Sequence, residues 1–242
     1  DRSIGGNVLT ARYFGAKKEA QLSDTVHTSV ALSIVSGVIL AIIGIIFAKP
    51  ILHLMEAPDS VLGLSAIYLR IYFIGMPAMM IYNFGSAILR AKGDTRRPLK
   101  FLVISGILNV CLNLFFVIVL RMDVAGVASA TALSQCLSAV FVIRCLCKES
   151  NGMKLTLKRL KLHTEILINI IKIGLPAGFQ GVLFSLSNVI IQSSINTFGD
   201  VTMAGSAAAA NIEGFVYFAM NAFYQAAISF TSQNIGAGKY ER

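Results

Sequence analysis

The chain has 242 residues, of which 55% are hydrophobic and only 14% are charged, and its mean hydropathy is +0.71. A soluble globular domain carries roughly 25% charged residues, so this composition argues against that class and predicts a membrane protein. The net charge of +9 is explained by basic loops beside anionic lipid headgroups and does not call for nucleic acid. The four cysteines lie in or beside apolar stretches and imply no disulfide framework.

Six apolar stretches are long enough to cross a bilayer, which takes about 20 helical residues. They predict spans at residues 26–48, 61–88, 101–120, 124–143, 166–199 and 201–232. Seventeen of the 21 Lys and Arg residues fall in alternate intervals, namely segments 1–25, 89–100, 144–165 and 233–242. Because positive side chains collect in cytoplasmic loops, these four segments are predicted to be cytoplasmic.

The first predicted element is the end of a helix, at residues 3–14, and we interpret the chain as a fragment without a signal peptide. Farther along, Gly-x-Pro-Ala occurs inside two predicted spans, at Gly75–Ala78 and Gly174–Ala177. Proline removes a backbone hydrogen bond and bends a helix, and such a bend can line a cavity or gate or be a static kink. Beside the first bend, Met76 could line the substrate lumen, where its flexible side chain would adapt to varied apolar ligands. The alternative is that it faces lipid or packs in the core.

Polar residues interrupt the third and fourth predicted spans. Asn109 and Asn113 are four residues apart and share one helix face, and Thr131 lies in the next, antiparallel span. Amide and hydroxyl oxygens are suitable ligands for a hard cation, so these residues are candidates for a cation or proton site. Ordinary interhelical hydrogen bonding is the alternative.

The longest polar interval separates two predicted lobes. A partial amino-terminal lobe spans residues 1–147, a cytoplasmic linker spans 148–165, and a partial carboxy-terminal lobe spans 166–242. In the linker, leucines alternate with basic residues, which predicts a short amphipathic helix on the cytoplasmic leaflet; these leucines are Leu155, Leu157, Leu160 and Leu162.

Polar side chains continue in the span after the linker, where they line a lumen or pack against other helices; they are Gln180, Ser185, Asn188 and Gln192.

In the last span, Glu213 is the one acid of twelve that lies away from loops and span ends. It lies about 18 Å from the outer face, near the bilayer midplane, where a charge costs at least about 2.5 to 3.5 kcal/mol. We predict that Glu213 carries protons or attracts a cationic substrate, with a hydrogen-bonded structural acid beside Asn211 as the alternative. Asn211 is also a candidate lumen residue.

Catalytic and metal sites are not predicted. The three histidines, His27, His53 and His163, lie at span ends, and no nucleophile and base occur at matching depth. We therefore expect no enzyme, no catalytic residues and no resident metal.

An internal repeat relates the two ends of the chain. Residues 10–18 (TARYFGAKK) align with residues 231–239 (TSQNIGAGK) at an offset of 221. Both copies lie at the cytoplasmic end of a span, and six spans separate them, so the halves share one orientation. Parallel repeats of this kind are one plan of secondary transporters.

Several segments carry a more specific resemblance, to the multidrug and toxic compound extrusion (MATE) family. Arg90–Lys100 (RAKGDTRRPLK) is similar to the loop after that family's fourth span, and Ala11–Ala20 and Gln233–Arg242 are similar to the loops after the second and eighth. Gly174–Gln192 is similar to the seventh span. The resemblance covers essentially the whole chain and implies an all-α, polytopic, pseudo-symmetric helix bundle. It also implies that the chain runs from the end of span 2 to just past span 8 of twelve.

The resemblance implies a function as well. It is an antiporter of the cell membrane that uses protons or sodium ions to export amphiphilic or cationic compounds, needs no cofactor beyond the coupling ion, and is a monomer when full length. It also implies that Asn109, Asn113 and Thr131 take part in a cation or proton site, although some relatives have Asp where Asn113 stands. The alternative is a lipid-linked oligosaccharide flippase of the related superfamily, which would need several cations facing the lumen.

Overall fold

The computed structural model describes residues 3–54, 59–150, 152–196 and 198–241. In these residues the chain forms a bundle of α-helices, as the resemblance implied; the helices are α1 (Ile4–Gly15), α2 (Glu19–Leu54), α3 (Asp59–Ile74), α4 (Met76–Ala91), α5 (Arg96–Leu114), α6 (Asp123–Cys147), α7 (Thr164–Asn196) and α8 (Asp200–Gly236). A π-helical segment, Phe115–Val119, extends α5. A single 3-10 turn, Leu157–Arg159, lies between α6 and α7.

The predicted spans correspond to the long helices. Among the described residues, α2, α5 with its π-helical extension, α6 and α7 are long and apolar enough to cross a membrane. The bent pair α3 and α4 meets the same criterion only when its two helices are taken together. The sixth predicted span, 201–232, lies in α8, which is 37 residues long but is not among these apolar helices. Polar residues such as Asn211, Glu213 and Asn221 interrupt its sequence.

The two Gly-x-Pro-Ala segments behave differently. At the first, the chain breaks between α3 and α4 and turns by 43°. Pro77 lies in the first turn of α4, where a missing N–H costs no intrahelical hydrogen bond. At the second, Pro176 lies inside α7, which continues as one helix. The predicted bend is therefore a helix break at Gly75, whereas α7 is not broken.

A buried apolar cluster joins α2, α4 and α6 with the start of the linker. Its members are Leu22, Val26, Val30, Ile88, Leu89, Val142, Leu146, Met153 and Leu155. Small residues let these helices approach closely; an added Cβ at Gly85 would overlap the side chain of Val142. This cluster makes the first part of the chain one packed unit.

The predicted amphipathic helix of the linker is wrong. Apart from the turn at Leu157–Arg159, residues 153–163 are not helical. The Leu155 N–H donates to the Leu146 carbonyl at 3.0 Å, and Leu155 is buried in the apolar cluster while Leu157 is 56% exposed. Met153 and Leu155 are buried on either side of the exposed Lys154, which is the period of an extended chain, and burial in the cluster outweighs the helical pattern here.

Glycines at helix ends have two different roles. Gly93 and Gly238 have positive φ values of 94° and 69°, and they cap α4 and α8 in the left-handed conformation that glycine adopts readily. Gly15 and Gly236 are not caps of this kind, because they are the last residues of α1 and α8.

Candidate ion and substrate sites

The structure brings together the polar residues of α5 and α6. Asn109 Nδ2 lies 3.1 Å from Ser134 Oγ and 3.5 Å from Thr131 Oγ1. Asn113 Nδ2 donates to Asn109 Oδ1 at 3.0 Å. Asn109, Asn113 and Thr131 thus form one cluster, which we call the amide cluster, together with Ser134. Sequence reasoning missed Ser134, although it lies three residues after Thr131 and so on the same helix face.

The amide cluster contains an oxygen without a donor. The Oδ1 atom of Asn113 is buried and has no hydrogen-bond partner among the described residues. A buried acceptor left unpaired costs about 1–3 kcal/mol, so such an atom calls for an explanation. The helix changes to π geometry at Phe115, two residues later, and π-helical segments occur frequently at functional sites. Chemically, a carbonyl oxygen of this kind can coordinate a hard cation.

A second polar site lies where α7 and α8 meet α1. A cavity of about 480 Å³ is lined by aromatic and amide side chains and small residues; these are Ile4, Ala177, Gln180, Gly181, Phe184, Tyr217, Met220, Asn221, Tyr224 and Gln225. We call it the α7–α8 cavity. It contains the predicted Gln180, but sequence reasoning missed Tyr217, Asn221, Tyr224 and Gln225. Their spacing of four, eight, eleven and twelve residues from Glu213 was the available signal, because it places them on one side of a helix.

Glu213 itself is exposed on α8. It lies one turn before Tyr217 on the face of α8 that lines the α7–α8 cavity, and Asn188 lies one turn after Phe184 on the corresponding face of α7. Both residues lie one helical turn from residues that line the cavity, and neither is among the lining residues themselves. Among the described residues, Glu213 makes no ion pair.

The remaining predicted lumen residues do not join this site. Asn211 donates to the Ala207 carbonyl of its own helix at 3.0 Å and lies on a different face of α8. Gln192 is exposed one further turn along α7. Met76 begins α4 at the bend and is half-buried. It lines neither the α7–α8 cavity nor the cavity described next.

A larger apolar cavity of about 910 Å³ separates α7 from α2 and α4. Leu32 and Phe84 form one wall, and the α7 wall includes Gly174, Gly178 and Ser185. Ser185 thus belongs to this cavity, while Gln180 belongs to the α7–α8 cavity. These two predicted polar residues of α7 therefore line different cavities.

Bilayer-length helices and a polar cluster within two of them define a multi-pass membrane protein. The MatE family model matches residues 2–115 and 176–242. The chain belongs to the MatE family, as its motifs predicted, and its place is the cell membrane.

Similar proteins agree with this assignment. The chain is 30% identical over 98% of its length to the probable multidrug resistance protein YoeA of Bacillus subtilis, of which it covers 53%. It is 32% identical over 82% of its length to the probable multidrug resistance protein YpnP of the same organism, of which it covers 44%. A crystal structure of a MATE protein in the bent conformation superposes with a TM-score of 0.88 at 25% identity, over 99% of this chain and 54% of that one. The chain thus spans about half the length of these relatives.

Proposed function

We propose that the full-length protein containing this chain is a cation-coupled antiporter that exports amphiphilic or cationic compounds by alternating access. Membership of the MatE family supports the transport class. The observation that carries the coupling is the amide cluster, in which the buried Asn113 Oδ1 has no donor among the described residues. Its oxygen atoms offer a cation the ligands that it would lose on leaving water.

The two polar sites suit different ions. The amide cluster consists of neutral amide and hydroxyl groups, which do not titrate near neutral pH, so it fits sodium better than a proton. Glu213 has a carboxyl group that can take up a proton or pair with a cationic substrate. Coupling by the first site and substrate or proton binding by the second is the division of roles that this chemistry favours.

The α7–α8 cavity fits the proposed substrates. Its volume of about 480 Å³ lies within the range of small-molecule pockets, and Tyr217, Tyr224 and Phe184 present aromatic faces that attract cations. The residues lining the two cavities include no Lys or Arg. The flippase alternative, which would require cations for an anionic pyrophosphate, therefore receives no support.

Coupling requires that each ligand distinguish two states. An ion in the amide cluster and a substrate in the cavity can drive each other's exchange only if they bind opposite arrangements of the lobes more tightly. Loss of one differential interaction worth about 1.4 kcal/mol changes the equilibrium about tenfold.

Replacement of Glu213 by Gln tests the role of the carboxyl group. Gln keeps the shape of Glu but neither ionises nor carries a proton, so Glu213→Gln should reduce efflux about tenfold or more. The measurement is ethidium efflux from vesicles containing the full-length protein under an imposed proton gradient. The matched control is Glu165→Gln, at the exposed start of α7, which should transport normally. Unchanged efflux of the Glu213 variant at equal expression would remove Glu213 from the mechanism.

A further inference from the structure

The C-terminal ends of α1 and α8 cross in direct backbone contact. A Cβ added to Gly15 would overlap the carbonyl oxygen of Gln233, and a Cβ added to Gly236 would overlap the carbonyl oxygen of Arg12. Each glycine thus lies against the backbone of the other helix, with no room for a side chain. We call this crossing the glycine seam.

The glycine seam has two-fold symmetry. The internal repeat offset of 221 relates Gly15 to Gly236 and also Arg12 to Gln233. In each contact, the glycine of one repeat lies against the residue three positions before the glycine of the other repeat. Such reciprocal contacts are the pattern of a two-fold interface. The helix caps follow the same offset: Lys17 and Gly238 both have positive φ.

Polar contacts surround the seam. Asn7 Nδ2 of α1 donates to the Ala87 carbonyl of α4 at 3.0 Å, and Ser229 Oγ of α8 donates to Asn7 Oδ1 at 3.3 Å. Gln233 Nε2 of α8 donates to the Ala91 carbonyl of α4. Asn7 and Ser229 are buried, so these hydrogen bonds hold α8 against the first part of the chain in a closed arrangement.

Opening such a seam costs little compared with opening an apolar core. Water can replace a protein hydrogen bond at a net cost of about 0.5–1.5 kcal/mol. Separating apolar surfaces, in contrast, loses all of the free energy that was gained by removing them from water. The apolar cluster of α2, α4 and α6 lies within the first part of the chain and stays intact when α8 moves away from α1. The glycine seam therefore separates at a lower free-energy cost than the apolar cluster does.

We propose that the glycine seam is the closed cytoplasmic gate of the transporter, with Gly15 and Gly236 as the residues that allow closure. The basic residues Lys17, Lys18 and Lys239 at the seam place it on the cytoplasmic side. This proposal rests on the alternating access proposed above. Because the contact is between backbones, a methyl group on either glycine holds α1 and α8 apart and favours the state that is open to the cytoplasm.

The test measures the gate directly, without transport. Spin labels are attached to Lys18→Cys and Lys239→Cys, which are exposed and related by the repeat offset, in the full-length protein with the native cysteines replaced. Pulsed electron paramagnetic resonance then gives the distribution of distances between the two labels. Gly15→Ala and Gly236→Ala should each raise the ratio of long to short distances about tenfold or more, the change that about 1.4 kcal/mol produces.

Matched controls separate closure from helix stability. Alanine in a helix is favoured over glycine by about 1 kcal/mol, so Gly214→Ala in α8, where an added Cβ meets nothing within 4 Å, should leave the distances unchanged. If the glycine variants fold poorly, Ser229→Ala and Gln233→Ala remove seam hydrogen bonds without adding volume and should shift the distances in the same direction by a smaller factor.

Distances that stay at the wild-type distribution in the folded variants overturn the gate and make the seam static packing. Shifted distances support the gate even if ethidium efflux is never observed, a result that would count against the proposed function alone. The two failures are thus distinguishable.

Discussion

The proposed coupling depends on one atom of the amide cluster, Oδ1 of Asn113. Its Nδ2 group donates to Asn109 within the amide cluster, but its Oδ1 atom is buried without a donor. A residue selected for stability alone would satisfy both ends of the amide, because an unpaired buried acceptor is costly. The unpaired oxygen supports the proposed binding role, while the bonds from Asn109 to Thr131 and Ser134 are the interhelical hydrogen bonds of the alternative.

Replacing Asn113 by Leu removes this oxygen while keeping a similar side-chain size. We expect sodium-driven efflux to fall about tenfold, as for loss of about 1.4 kcal/mol of ion binding, while thermal stability in detergent stays equal or rises. The measurement compares efflux under imposed sodium gradients. Ser138→Ala, which removes a buried hydroxyl one turn from Ser134 in α6, serves as the control. Equal sodium dependence before and after the Asn113 change would assign the residue to packing.

The linker shows where pattern reasoning fails at the scale of an element. Alternating leucines and basic residues predicted a helix, yet the segment is extended and two of its apolar residues, Met153 and Leu155, are buried. The choice depends on the apolar cluster of α2, α4 and α6, which only the tertiary structure provides.

This arrangement predicts different effects for two neighbouring leucines. Leu155→Ala leaves a cavity in the apolar cluster and should destabilise the protein by about 2–4 kcal/mol. Leu157→Ala, at a side chain that is 56% exposed, should change stability by less than about 0.5 kcal/mol. Thermal unfolding of the full-length protein in detergent measures both. Equal shifts in Tm for the two variants would contradict the buried position of Leu155.

Other elements show which features the sequence can predict. Hydropathy placed the long helices because bilayer thickness sets their length, and the four-residue spacing of Asn109 and Asn113 put them on one helix face. The resemblance to the MATE family, and not the spacing, implied that Thr131 of the next helix shares their site. The break at Gly75 and the continuous helix at Pro176 share one motif, so the motif alone cannot distinguish them. Likewise the crossing of Gly15 and Gly236 depends on two helices that are distant in sequence, so no local pattern predicts it.

At the scale of the whole molecule, a cluster of charges ties the loop between α4 and α5 to the end of α6. Glu149 is buried and accepts hydrogen bonds from Lys92 Nζ at 2.8 Å and from the guanidinium group of Arg97. Arg97 also pairs with Asp94. Burial by itself raises the pKa of Glu149, but the hydrogen bonds and charges of Lys92 and Arg97 outweigh it and lower the pKa below its ordinary value. Burial likewise raises the pKa of Asp94, and the hydrogen bonds from Arg97 outweigh it and lower that pKa.

These lowered pKa values predict how stability depends on pH. A carboxyl group whose pKa is lower in the folded state stabilises the fold above its unfolded pKa, about 4, and loses this contribution as the pH falls through the folded pKa. We therefore expect Tm in detergent to be constant from about pH 7 to pH 5 and to fall below about pH 4.

Replacement of Glu149 by Gln removes the acceptor for two cations, each about one-third exposed, and should cost about 1–3 kcal/mol at pH 7. The variant should also show a weaker loss of Tm in acid, whereas the exposed Glu165→Gln variant should follow the wild type at every pH. A Glu149 variant with wild-type Tm at pH 7 would show that the cluster contributes nothing to holding α4, α5 and α6 together.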